Sequence, residues 1–132
     1  MKTQLSTTPF SISKRLKSFT FAFNGFKTLI REEHNSWIHI AVTICVVIAG
    51  FLLSISFIEW VAVVLCIGLV ISFELINSAI ENIADFVSPQ KNETIRKVKD
   101  LSAAAVLIAA ICSSIVGLII FVPKIIILCG NC

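Results

Sequence analysis

The sequence is short of charge. Of its 132 residues only 14% are Asp, Glu, Lys or Arg, while 57% are apolar and the mean hydropathy is +0.96. An ordinary soluble domain carries about 25% charged residues. The shortage excludes a disordered chain, a disulfide-built secreted miniprotein and a soluble nucleic-acid binder. The length suits one small domain. What remains is a small all-α integral membrane protein, and the placement of its few charges matters more than the net +3.

Familiar nucleotide motifs are also missing. The chain has no G-x-x-x-x-G-K-[ST] loop, no G-x-G-x-x-G and no H-R-D segment. Any nucleotide must bind without those devices.

Three apolar stretches are long enough to cross about 30 Å of hydrocarbon as helices, which takes about 20 residues. They cover residues 38–58, 60–80 and 101–122, and Pro123 with Lys124 marks the end of the third. Lys2, Lys14, Arg15, Lys17, Lys27 and Arg31 precede the first span, and Lys91, Arg96, Lys97 and Lys99 lie between the second and third. The link at residues 54–59 has no Lys or Arg. The positive-inside rule therefore places the N-terminus and the 86–100 loop in the cytoplasm and the C-terminus outside. Trp37 and Trp60 fall at opposite membrane faces, where aromatic belts are expected.

Residues 1–13 form a polar, mobile lead in this reading. The next segment, 14–36, does not read as a signal peptide, because Asn24, Gly25 and Lys27 interrupt its apolar core. It reads as an amphipathic helix. Leu16, Phe19, Phe23, Phe26 and Ile30 recur at helical spacing, beside Lys14, Arg15 and Lys17. Such a helix lies along an anionic membrane surface or packs on the bundle.

The second span turns polar near its end. At about 100° per residue, Glu74, Asn77, Ser78, Glu81 and Asp85 fall within an arc of about 100°. A carboxylate inside a span is costly and is a functional candidate by default. Two carboxylates one or two turns apart suit Mg²⁺, which completes its shell with water and phosphate oxygens. A further carboxylate can accept a proton from an alcohol. Glu32 and Glu33 close the amphipathic segment, and Lys97, Lys99 and Asp100 open the third span, at the expected depth of Glu81. The set points to phosphoryl transfer onto a lipid hydroxyl. The other class is a non-enzymatic membrane assembly, a cation conductor or adaptor. A pore needs polar residues through the whole membrane depth, yet Val61–Phe73 is apolar apart from Ser72.

The run Glu74-Leu75-Ile76-Asn77-Ser78-Ala79-Ile80-Glu81-Asn82-Ile83-Ala84-Asp85, followed by Lys99-Asp100-Leu101-Ser102-Ala103-Ala104-Ala105-Val106, resembles the bacterial integral-membrane diacylglycerol kinase and undecaprenol kinase family. The likeness extends back to Gly25–Glu33. It implies a homotrimer of three-span subunits in the bacterial inner membrane, each with a surface helix, and active sites shared between subunits. It implies transfer of the γ-phosphate of MgATP to diacylglycerol or undecaprenol. By matching position, Glu33 and Glu81 would hold Mg²⁺ with ATP, and Glu74 would accept the proton. Lys99, Asp100 and, on a weaker match, Lys14 would contact the nucleotide. Asn77 and Asp85 would support the site. Counting from Gly25 favours Glu33 over Glu32 as the metal ligand. The segment Glu33–His39, with E-x-N followed by I-H, looks more like the undecaprenol kinase branch.

Among the remaining residues, His34 and His39 are expected to make interfacial hydrogen bonds rather than bind metal. Cys45, Cys66 and Cys112 are expected as small apolar fillers. The Cys129–Cys132 pair has no βαβ context for redox chemistry. The small residues Ala105, Ala109, Ser113 and Gly117 recur every four positions and permit close helix approach, within the chain or between subunits.

Overall fold

The computed structural model describes residues 12–90 and 92–130. The described chain is four helices in sequence: α1 (Ile12–Glu32), α2 (His34–Leu52), α3 (Phe57–Val87) and α4 (Glu93–Gly130). The last three are long and apolar enough to cross a membrane.

Local signals explain the breaks. Glu33 is extended, with φ −105° and ψ 111°, and this one residue separates α1 from α2. The segment expected as one helix over 14–36 is therefore a helix ending at Glu32 and the first turn of the next. The buried Ser36 fastens the corner, since its Oγ lies 2.6 Å from the Glu33 carbonyl and 3.2 Å from that of Leu29. At the α2–α3 turn Ser54 takes φ 47°, an uncommon conformation for a residue with a Cβ. A capping box then starts α3. The Ser56 amide donates to Glu59 Oε2 at 2.6 Å, and the Glu59 amide donates to Ser56 Oγ at 3.4 Å. Asn92 Oδ1 accepts from the Thr94 amide at 2.8 Å and starts α4.

Pro123 does not end a helix. It lies inside α4, which continues to Gly130. The proline costs α4 one hydrogen bond, to the carbonyl four residues earlier, and the helix runs on through it.

The α3 helix is the central element and α4 packs along it. The buried α3 residues Val63, Val70, Glu74, Asn77, Ser78 and Ala84 lie within an arc of about 120°. One seam thus begins apolar and ends polar. At its apolar end Val63 packs with Ile55 and Ile120, and Trp60, Ile67, Val116 and Phe121 lie around them. The small residues of α4 serve this intrachain contact. Ala109 is buried, and Ser113 Oγ donates to the Cys66 carbonyl at 3.5 Å. Gly117 is different, because a Cβ there would meet nothing within 4 Å.

The expected face of α1 is mostly turned outward. Leu16, Phe19 and Phe23 are exposed, while Leu29 is the residue that α1 buries. Phe26 joins Leu29 against α2 and α3.

Candidate active site

Three junctions bring the polar residues together: the α1–α2 corner, the last turns of α3 and the first turns of α4. On α3, Glu74 is 3% exposed although it is a carboxylate. An isolated ionised carboxylate is very costly to bury, so a partner is required. The partner comes from α2, where His39 Nε2 stands 2.8 Å from Glu74 Oε1. One turn further along α3, Asn77 donates through Nδ2 to Glu81 Oε1 at 3.0 Å. Among the described residues, the other amide atom, Asn77 Oδ1, is buried without a hydrogen-bond partner. Such orphans are rare and call for an explanation, such as an ion or ligand.

Asp85 is exposed, and its Oδ1 accepts from Lys99 Nζ at 2.6 Å, tying α3 to α4. Ser102 Oγ donates to the Lys99 carbonyl at 2.9 Å. The charges of Glu33 and Glu81 lie within electrostatic range of both Glu74 and Lys99. Glu33, at the extended corner, makes no side-chain cap bond to α2.

Most of the residues singled out in the sequence therefore share one end of the bundle. Glu33, Glu74, Asn77, Glu81, Asp85 and Lys99 converge there. Asp100 points into a different set, pairing with Arg96 at 3.3 Å on the exposed side of α4. The Lys14 side chain lies outside the described residues, as does Cys132. Glu32 is an exposed residue at the end of α1, whereas Glu33 is half-buried. His39 was expected to make a hydrogen bond, but its partner, Glu74, was not legible in the sequence.

Beside this cluster the α3–α4 connection forms an open bowl of about 550 Å³, whose walls mix apolar Pro89 and Ile95 with Asp85, Asn92, Arg96 and Lys99. Among the described residues no three His, Cys, Asp or Glu side chains are gathered at metal-binding distance. Mg²⁺ does not need such a cage. It commonly takes one or two carboxylates and leaves its other positions to phosphate and water. The donor set of Glu33 and Glu81, with the unsatisfied Asn77 Oδ1 nearby, fits that kind of ion.

One buried and two half-buried carboxylates at one end of an apolar bundle, next to a basic residue and an open bowl, suit a membrane enzyme acting on phosphate groups. The comparisons with known proteins make the class specific. Residues 20–121 match the family model described as prokaryotic diacylglycerol kinase. The chain is 39% identical over 113 residues to the undecaprenol kinase of Bacillus subtilis, covering 86% of this chain and 92% of that protein. It is 34% identical to a diacylglycerol kinase of Synechocystis, covering 82% of this chain and 62% of that one. It is 36% identical to a diacylglycerol kinase of Helicobacter pylori, covering 74% of this chain and 77% of that one. The chain belongs to the prokaryotic diacylglycerol kinase family and is a membrane-bound lipid kinase. A non-enzymatic conductor or adaptor finds no support.

Proposed function

We propose that this protein transfers the γ-phosphate of MgATP to the hydroxyl of a membrane lipid, with undecaprenol as the preferred acceptor and diacylglycerol as the second. The observation that carries the reading is Glu74, a carboxylate buried on the core side of α3 and bonded to one imidazole. A carboxylate kept from water is suited to taking a proton from an alcohol as the alcohol attacks phosphorus. Glu33 and Glu81 hold Mg²⁺ with the nucleotide, and Asn77 orients Glu81. When bound, the ion neutralises the developing phosphate charge. Lys99, set by Asp85, contacts the phosphates, and Asp100 and Lys14 extend the nucleotide site. The preference for undecaprenol is supported by the Bacillus subtilis relative, an undecaprenol kinase by name, whose length this chain nearly spans.

The same reading makes the protein a homotrimer of the bacterial inner membrane, with the site at the cytoplasmic face and the C-terminus outside. The long apolar faces of α2 and α4 suit both lipid and neighbouring subunits.

The test is a labelled-ATP assay on the purified protein in bilayers, with undecaprenol and diacylglycerol side by side. Phosphorylation of undecaprenol at several times the rate of diacylglycerol, abolished by EDTA and restored by Mg²⁺, is expected. A reversed preference overturns the substrate assignment. Failure to phosphorylate either lipid, with folded protein confirmed, overturns the whole reading.

A further inference from the structure

We infer that His39 is the positioning residue for Glu74, donating from Nε2 to Glu74 Oε1 so that Oε2 is the oxygen that receives the lipid hydroxyl proton. The inference rests on the proposed role of Glu74 as proton acceptor.

The geometry is local and restrictive. The Nε2–Oε1 distance is 2.8 Å, within the range of a charge-assisted hydrogen bond. The Glu74 side chain is 4% exposed and that of His39 is 23% exposed. Phe26, Leu29, Ile40 and Ile71 surround the pair together with Ser36, whose hydroxyl is committed to the Leu29 and Glu33 carbonyls, and the space left between them is about 10 Å³. That is at the lower limit for a single water, so solvent cannot readily stand in for the imidazole. In apolar surroundings a hydrogen bond is stronger than in water, and an unpaired carboxylate is correspondingly costly. Among the described residues His39 is the side chain bonded to Glu74. The other charges within range are Glu33 and Glu81, both acidic, so neither can replace it as a donor to an ionised carboxylate.

The consequence is a division of labour between the two carboxylate oxygens. A neutral imidazole that donates through Nε2 leaves Nδ1 as its acceptor. Oε1 is then committed to the ring. In the transfer the lipid oxygen bonds to the γ-phosphorus, and its proton passes to Oε2. The bond from the γ-phosphorus to the bridging oxygen breaks, and its electron pair leaves on ADP. His39 touches none of the reacting atoms. It fixes the plane of the carboxylate that does.

The pair of variants that tests this is His39→Gln and His39→Leu, each checked for the wild-type elution volume in detergent. Both keep an elongated side chain in the site, but only Gln keeps an N–H donor. Gln is expected to retain kcat to within about tenfold of wild type. Leu is expected to lose about 10²-fold, the scale of a misplaced catalytic group, with the KM for ATP changed less than about threefold. Equal activity in the two variants, high or low, overturns the assignment. So does a loss in His39→Leu that appears in KM rather than kcat. Glu74→Gln is measured alongside. If that variant keeps its activity, the role of Glu74 itself fails. If it is inactive while His39→Leu remains active, only the role of His39 fails.

Discussion

The two ends of the bundle are built by different means. At one end α2, α3 and α4 meet through Ile55, Val63 and Ile120, and Trp60 lies over Gly50. At the other, the same helix α3 buries Glu74, Asn77 and Ser78. The apolar end gains stability by removing hydrocarbon surface and filling space. Each buried polar group at the other end must instead find a partner, and Asn77 Oδ1 has none among the described residues. The contrast teaches where tolerance lies. The first end should be sensitive to volume and indifferent to chemistry, and the second should be the reverse.

Glu74→Gln tests the polar end most severely. It preserves shape and removes the base, so kcat should fall about 10²–10⁴-fold while the KM for ATP changes little, as measured by labelled-ATP kinetics. A comparable loss in KM would place Glu74 in nucleotide binding instead.

Gly50→Val is the matching test at the apolar end. A Cβ on Gly50 would stand 2.8 Å from Trp60 Cη2 and 2.9 Å from Cζ2. The indole is also stacked at a tilt on Phe51, with ring centroids 4.8 Å apart, so it has little room to retreat. Stability should fall by about 1–3 kcal/mol, read as faster thermal inactivation, with kcat of the surviving folded protein unchanged. Gly117→Ala, where the space is open, should cost nothing measurable. Equal damage at the two glycines would remove the argument from packing.

Lys99→Met separates charge from stability at the polar end. The Lys99–Asp85 pair is solvated, so its loss should leave thermal stability almost unchanged. The KM for ATP should nonetheless rise about tenfold if the proposed phosphate contact is lost. The smallest effect belongs to Lys124→Met. Lys124 Nζ lies 3.2 Å from Glu59 Oε2 at the apolar end, and its removal should leave both thermal stability and kinetics close to wild type.

Much of this was legible in the sequence, and what was not has physical causes. The number and type of the spanning helices follow from apolar runs of sufficient length. The one-sided set from Glu74 to Asp85 follows from helical periodicity, because residues on one helix carry their relative angles with them. The junction at Glu33 was harder, since a single extended residue leaves no composition signal. Pro123 misled because a proline can also sit inside a helix at the loss of one hydrogen bond, and sequence alone does not separate the two cases. The His39–Glu74 contact was out of reach, because periodicity within α2 and within α3 says nothing about how the two are rotated against each other. The Asp100–Arg96 pair, by contrast, is of the i,i+4 kind that helical spacing does offer to the sequence.

The seam of α3 also has a length. Glu74 and Glu81 are seven residues apart, which at 1.5 Å per residue is about 10 Å along the helix axis. That is about one third of the hydrocarbon thickness. On the proposed roles, the base and the metal carboxylate would be set at two depths, like marks on a gauge. A substrate would then be sorted by how far below the phosphate its hydroxyl can ride, before its tails are considered at all.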